Sequence, residues 1–216
     1  MVRAFGISEF IYLLEGLKWT IALTAVAFAG GGVFGVLIAL CRTAPQAWLR
    51  WISGLYVELF RGTPLLMQLF VVHYGLALMG ITLNPWLSAA IAFSLHSSAF
   101  LGEIWRGSIE AVPAGQTEGA TALGLSYWQR MRDVIALQAA RIALPSTVGF
   151  LVTLIKATSL TSIIGFVELA RAGTIVSNQT FNPLLVYGLV GLFYFIICWP
   201  LSLLGSHLEH KLEAGQ

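Results

Sequence analysis

Charge is what this sequence has least of. Only 10% of its 216 residues are Asp, Glu, Lys or Arg, where soluble domains carry roughly 25%, while 57% are hydrophobic. A water-soluble fold of this size cannot hide so much apolar surface, so the composition excludes one and requires an integral membrane protein. The net charge of +2 gives no electrostatic footprint for nucleic acid. Cysteine is scarce too: Cys41 and Cys198 both lie at or inside apolar runs, where a thiol acts as a small hydrophobe, so neither a disulfide nor a metal site is expected. His207 and His210 have helical ligand spacing but adjoin a polar tail and read as solvated surface. No G-x-x-x-x-G-K-[ST] segment occurs, which removes P-loop ATP hydrolysis from this chain. Residues 1–16 mix Arg3, Glu9 and Glu15 with apolar residues and lack a small-residue cleavage site, so they read as an interfacial lead-in rather than a removable signal.

What is present is a series of apolar stretches that predicts an all-α membrane protein with five transmembrane helices, at about 17–41, 62–81, 86–102, 142–167 and 183–205, in one domain spanning 1–216. In the first, Trp19–Leu40 is free of charge and long enough for a ~30 Å hydrocarbon core. Ala27, Gly31, Gly35 and Ala39 recur every four residues within it and make a strip on which another helix can pack closely. Thr63-Pro64 starts or bends the second span, and the short Asn84-Pro85 break makes the second and third antiparallel neighbours. Five spans are too few for the two inverted halves of a secondary transporter, and they put the termini on opposite sides. One side collects Arg42, Arg50, Arg61, Arg106, Arg130, Arg132, Arg141 and Lys211, the other Arg3, Lys18 and Arg171, so the charged loop and C-terminus are expected in the cytoplasm and the N-terminus outside.

Residues 62–102 carry no Asp, Glu, Lys or Arg, whereas the loop at 103–141 holds eight of the 22 charged side chains. It is the part built to meet something in water. Within it, Pro113 suits a first helical position and Gly124 a left-handed residue just past the end, which predicts a short helix between them. Gly119, Ala120 and Ala122 would let a partner surface approach that helix closely. Ser126-Tyr127-Trp128-Gln129 matches a capping box and predicts a second helix at once. A plain helix-turn-helix connector between spans is the alternative.

Among intramembrane polar residues, Lys156 stands out because a cation there costs about 2.5–3.5 kcal/mol on insertion scales. It is expected to line a substrate path or to pair with an acid, Glu103 or Glu168, unless it snorkels to an interface. Thr158 and Ser159 beside it can satisfy loosened backbone or a ligand. Glu58 with Arg61, and Glu103 with Arg106, have helical pairing distances and read with Gly62, Thr63 and Pro64 as structural clamps at a gate. His73 and His96 read as buried hydrogen-bonding histidines. His96-Ser97-Ser98 raises a rival, an intramembrane serine hydrolase using Ser97 or Ser98 with His96 or His73, although no G-x-S-x-G setting accompanies it. A membrane scaffold or channel without pumping is a further rival.

Four segments together carry a family resemblance. Glu118-Gly119-Ala120 followed by Gly124 resembles the E-A-A…G loop of permease subunits of bacterial ABC importers, with Gly where the second residue is usually Ala. Glu58-Leu59-Phe60-Arg61-Gly62-Thr63-Pro64-Leu65-Leu66, Glu103-Ile104-Trp105-Arg106-Gly107 and Lys156-Ala157-Thr158-Ser159-Leu160 are similar to segments of the polar amino-acid uptake branch, the histidine, glutamine and arginine type. The resemblance runs from about residue 17 to the C-terminus. It implies an ABC type I importer transmembrane domain in the bacterial inner membrane, with a cytoplasmic coupling helix between helices 3 and 4 at Glu118, Gly119, Ala120 and Gly124. It further implies a dimer of ATP-binding subunits, a second permease subunit of the same or a sister chain, a soluble solute-binding protein, and a polar amino acid as cargo. ATP and Mg would sit in the partner, and this chain would hold no cofactor and catalyse nothing itself. Two positions depart from the pattern: Ala136-Leu137-Gln138-Ala139 lacks the proline of the usual Leu-Pro-Gln-Ala, and Gly149 stands where Asn is frequent.

Overall fold

Every regular element in the computed structural model, which describes residues 4–213, is helical: α1 (Ile7–Thr43), α2 (Ala47–Gly62), α3 (Leu65–Leu78), α4 (Pro85–Glu110), α5 (Ala114–Ala122), α6 (Tyr127–Ile164), α7 (Leu169–Thr180) and α8 (Pro183–Glu213). Arg3, counted above in the charge asymmetry, lies outside the described residues. The centre of the bundle is the small-residue strip of α1, whose Ala27, Gly31, Gly35 and Ala39 are all buried. Against it lies α4, running parallel, so that Trp19 meets Trp86 near one end while Gly31 meets Ser97 and Gly35 meets Leu101 and Gly102 further on. The approach is close enough that a Cβ added at Gly31 would stand 2.3 Å from the Ser97 Cβ and 3.0 Å from the α4 backbone. Only glycine fits there.

Four helices are long and apolar enough to cross a membrane: Ile7–Thr43, Pro85–Glu110, Tyr127–Ile164 and Pro183–Leu212. The second span, expected at 62–81, is a bent pair, α2 and α3, turned by 102° at Thr63-Pro64, and counted as one broken span it makes the fifth. The α3 arm is only about 21 Å long at ~1.5 Å per residue, short of a ~30 Å core by itself. Pro64 lacks the N–H that would carry the helix through, and Gln68 repairs the break: its amide nitrogen donates to the Phe60 carbonyl at 2.7 Å and to the Thr63 carbonyl and hydroxyl at 3.0 Å, while His96 of α4 meets its amide oxygen at 3.1 Å. Replacing Gln68 with Leu leaves those carbonyls short of a donor, and the folded protein in detergent is expected to lose about 2–3 kcal/mol, read as a lower thermal midpoint. Antiparallel packing of α3 on α4 follows, with Leu69 against Ala89 and Phe93.

Three features extend the outline read from the sequence. Residues 7–16 are the first turns of α1, because Glu9 closes its start by accepting from Gly6 N at 2.9 Å, and Leu13 is fully buried against Leu169, Ala172 and Val176 of α7. The polar loop is shorter than 103–141: α4 continues to Glu110 and α6 begins at Tyr127, with a π-turn at Met131–Ile135 and Pro145 retained inside the helix. Between the last two spans stands a helix with no sequence signal, α7, whose N-cap is Glu168. The end of the bundle bearing α5 is called the loop end below, and the opposite one the far end.

Candidate functional site

At the loop end, Pro113 is the N-cap of α5 rather than its first residue, and the helix stops as its glycine predicts: Gly124 takes φ +76°, its N–H reaches the Thr121 carbonyl at 2.9 Å, and Leu125 N reaches the Ala120 carbonyl at 3.1 Å. The Ser126 capping box forms and launches α6. Two side-chain contacts fix α5 on the body, Gln138 to Gln116 at 3.2 Å and Arg130 to the Thr121 hydroxyl at 2.6 Å. Ala120 turns inward and is buried, while Glu118, Gly119 and Gly124 are exposed, and a Cβ at Gly119 would meet nothing of this chain within 4 Å. Among the described residues, Glu118 makes no hydrogen bond or ion pair, neither to backbone nor to a neighbour. The result is a small outward knob with its own chain holding only the inner face. Beside it Leu123 and Trp128 are 82% and 68% exposed, apolar surface that the motif did not single out.

Behind the knob, one carboxylate gathers three helices. Glu103 accepts from Arg106 Nε at 2.9 Å and Nη2 at 2.7 Å, and Arg42 of α1 and Arg61 of α2 stand 3.6 Å and 3.4 Å from it. Arg106 also pairs with Glu110. The Glu103–Arg106 pair therefore forms as spaced, but Glu58 does not pair with Arg61, which turns to Glu103 and lies over the Phe100 ring at 5.6 Å. Arg42 entered only through the charge count, because nothing in its own helix points to α4. Gly62 closes α2, and the Thr63 hydroxyl donates to the Leu59 carbonyl at 2.7 Å.

Lys156 lies on an exposed face of α6 and makes no ion pair among the described residues. Pairing with Glu103 is overturned because three arginines already surround that acid. Pairing with Glu168 is overturned because its carboxylate is fully buried and occupied, accepting from Ala170 N and Arg171 N at 2.8 Å and from the Tyr194 hydroxyl at 3.0 Å. Ser146, Gly149 and Thr153 share the exposed face with Lys156 at three- and four-residue steps, a stripe of small and polar residues on the membrane-spanning part of α6. Thr158 is buried and donates to the Ile155 carbonyl at 2.7 Å, and Ser159 donates to the Lys156 carbonyl at 2.8 Å, so both satisfy backbone where the helix tightens into the 3₁₀ segment Thr158–Ile164.

The Ser–His couple does not assemble. His96 is engaged by Gln68 and His73 by Ser88 at 2.9 Å; Ser98 bonds the Tyr56 hydroxyl at 2.7 Å, and Ser97 is buried at the α1 contact with no hydrogen-bond partner among the described residues.

A polytopic helical bundle with an outward helical knob and a polar stripe, but no nucleotide loop, has the outline of a membrane subunit driven from outside. Residues 31–214 match the family described as binding-protein-dependent transport system inner membrane component, and the chain belongs to that family. It is 39% identical over 206 residues to the probable amino-acid ABC transporter permease protein YckA of Bacillus subtilis, covering 95% of this chain and 91% of the relative. It is 34% identical to the arginine transport system permease protein ArtQ of the same organism, with 97% and 96% covered. Among solved structures it is similar to an amino acid ABC transporter crystallised with histidines, at a TM-score of 0.88 and 31% identity over 95% of this chain and 96% of that one. The inward-facing MetNI methionine transporter shares the fold, with a TM-score of 0.82 at 20% identity, covering 96% and 99%. The chain is thus a multi-pass inner-membrane permease subunit of the type I ABC importer fold, a family whose members work with an ATPase and a binding protein.

Proposed function

We propose that this chain forms the translocation path of an ATP-driven importer of polar amino acids, moving between outward and inward openings as an ATPase dimer closes on α5. ATP and Mg bind to that dimer, a second permease subunit, identical or sister, completes the pore, and a soluble binding protein delivers cargo at the far end. The loop end is cytoplasmic and the N-terminus outside, an orientation favoured by the excess of arginines at the loop end. The observation that carries the reading is the knob: an exposed helix with glycine on its outer face, tied to α6 by Gln138–Gln116 and Arg130–Thr121 hydrogen bonds. The names of the relatives, for arginine, glutamine and cystine transport among others, support an amino acid as cargo.

In the path, Lys156 is the group that attracts a substrate carboxylate. An exposed cation on a spanning helix, with no ion pair among the described residues, must be covered by water, cargo or a partner. The test is uptake of labelled Arg, His, Lys, Gln and Glu by vesicles containing the permease, ATPase and binding protein. Accumulation of at least one that requires ATP is expected; none, with ATPase turnover unaffected by the binding protein, removes the reading. Lys156→Met is expected to assemble normally and to reduce uptake at least tenfold, and uptake at the unmodified rate would relieve Lys156 of this role.

A further inference from the structure

We propose that the cavity at the loop end between α4 and α6 is a subsite for the α-carboxylate of a free amino acid, held by Arg61. The proposal rests on the importer reading and adds a place where cargo pauses on its way out. The cavity measures about 370 Å³, at the small end of ligand pockets, and is walled by Arg61, Phe100, Ile104, Ser108, Ile142 and Ser146 together with Glu103. Its chemistry is set by unbalanced charge. Among the described residues Arg42, Arg61 and Arg106 form ion pairs only with Glu103 and Glu110, and Arg106 by itself engages both oxygens of Glu103 at 2.9 Å and 2.7 Å. Glu58, the remaining acid near Arg61 in sequence, is exposed and makes no ion pair among the described residues.

The surplus charge falls on Arg61. Its side chain is 46% exposed, against 25% for Arg42 and 22% for Arg106, and it stands 3.4 Å from Glu103, whose oxygens Arg106 already holds at 2.7 Å and 2.9 Å. The Phe100 ring beneath it fixes the guanidinium at the cavity wall, and a planar guanidinium with free N–H groups matches a carboxylate in a two-bond fork. Phe100, Ile104 and Ile142 offer apolar surface for the rest of the molecule, and Ser146 an exposed hydroxyl. Ser146 is also the loop-end member of the polar stripe that leads to Lys156, roughly 15 Å away at ~1.5 Å per residue. The stripe therefore connects two cations, each suited to the same carboxylate.

The test uses the assembled complex in detergent, with Cys41 and Cys198 replaced by Ala and Ser146→Cys as reporter. Labelling of that thiol by a charged maleimide is followed with millimolar L-arginine, L-histidine, L-lysine, L-glutamine or L-glutamate present. At least one is expected to slow labelling threefold or more, while its decarboxylated amine does not. Arg61→Gln is expected to abolish the protection. Glu103→Gln, which removes the competing carboxylate but keeps an acceptor for Arg106, is expected to give protection at lower amino-acid concentration, the opposite of what loss of a purely structural clamp would do. Absence of protection by every amino acid, equal protection by the amine, protection that survives Arg61→Gln, or weaker protection in Glu103→Gln overturns the assignment. Vesicle uptake separates the two readings: accumulation without protection removes only the subsite, and protection without accumulation leaves a binding site while removing transport.

Discussion

Gly31→Val is expected to prevent the bundle from forming or to lower its thermal midpoint by 10 °C or more. The first carbon of any side chain at residue 31 would lie 2.3 Å from the Ser97 Cβ and 3.0 Å from both Ser97 C and Ser98 N, and two of those three atoms are backbone that cannot rotate away. Relief requires α1 and α4 to separate along their whole contact, including Gly102, where an added Cβ would come within 2.6 Å of Ile38. Overpacking costs about 1–3 kcal/mol where side chains can give and more where they cannot, and each kcal/mol moves the midpoint of a chain this size by roughly 2–4 °C. Pairing Gly31→Ala with Ser97→Gly removes one of the clashing carbons and is expected to recover part of the loss, a coupling measurable by a double-mutant cycle. Gly149→Ala is the control, since nothing lies within 4 Å of its Cβ position and Ala favours a helix interior. A Gly31→Val protein that melts within a degree of the parent contradicts the packing.

Glu168→Ala carries the second large effect. The carboxylate is completely buried, and three donors converge on it: the N–H groups of Ala170 and Arg171 that open α7, and the Tyr194 hydroxyl of α8. Thr20 of α1 completes the junction by accepting from Leu169 N at 3.2 Å. Truncation removes an N-cap worth about 1 kcal/mol and strands buried donors at roughly 1–3 kcal/mol each, so the loss is expected to reach about 4 kcal/mol. In a melting experiment that is a drop of roughly 8–16 °C. Glu168→Gln, which keeps one acceptor and turns the other into a donor facing donors, is expected to fall between parent and Ala. Equal midpoints for all three proteins would mean that the junction does not hold α7 in place.

Features set by local rules were readable in advance. The every-fourth-residue strip of α1, the stop at Gly124 and the Ser126 cap depend only on neighbours in sequence, and each forms. Features set by tertiary meeting were not. Arg61 has an acid three residues before it, yet it turns to Glu103 on another helix, because α2 is bent back at Pro64 and lays Arg61 across α4. The same bend hides a spanning element in two short arms, which no count of apolar residues discloses. Likewise α7 has neither the length nor the hydropathy of a span; it exists because Glu168 and Thr20 receive its first N–H groups in a buried junction. Lys156 was legible as an intramembrane cation, but its lack of an ion pair among the described residues depends on where Glu103 and Glu168 spend their oxygens.

In the proposed importer, force enters at α5. The most direct measurement is ATP-driven uptake by vesicles carrying Gly119→Trp permease, with copurified ATPase and thermal midpoint determined on the same preparation. With nothing outside its own helical turn within 4 Å of the new Cβ among the described residues, the variant is expected to melt like the parent, to lose the ATPase on purification and to accumulate no amino acid. A Gly119→Trp complex that retains its ATPase and transports at the parental rate would show that the knob is not where the motor takes hold.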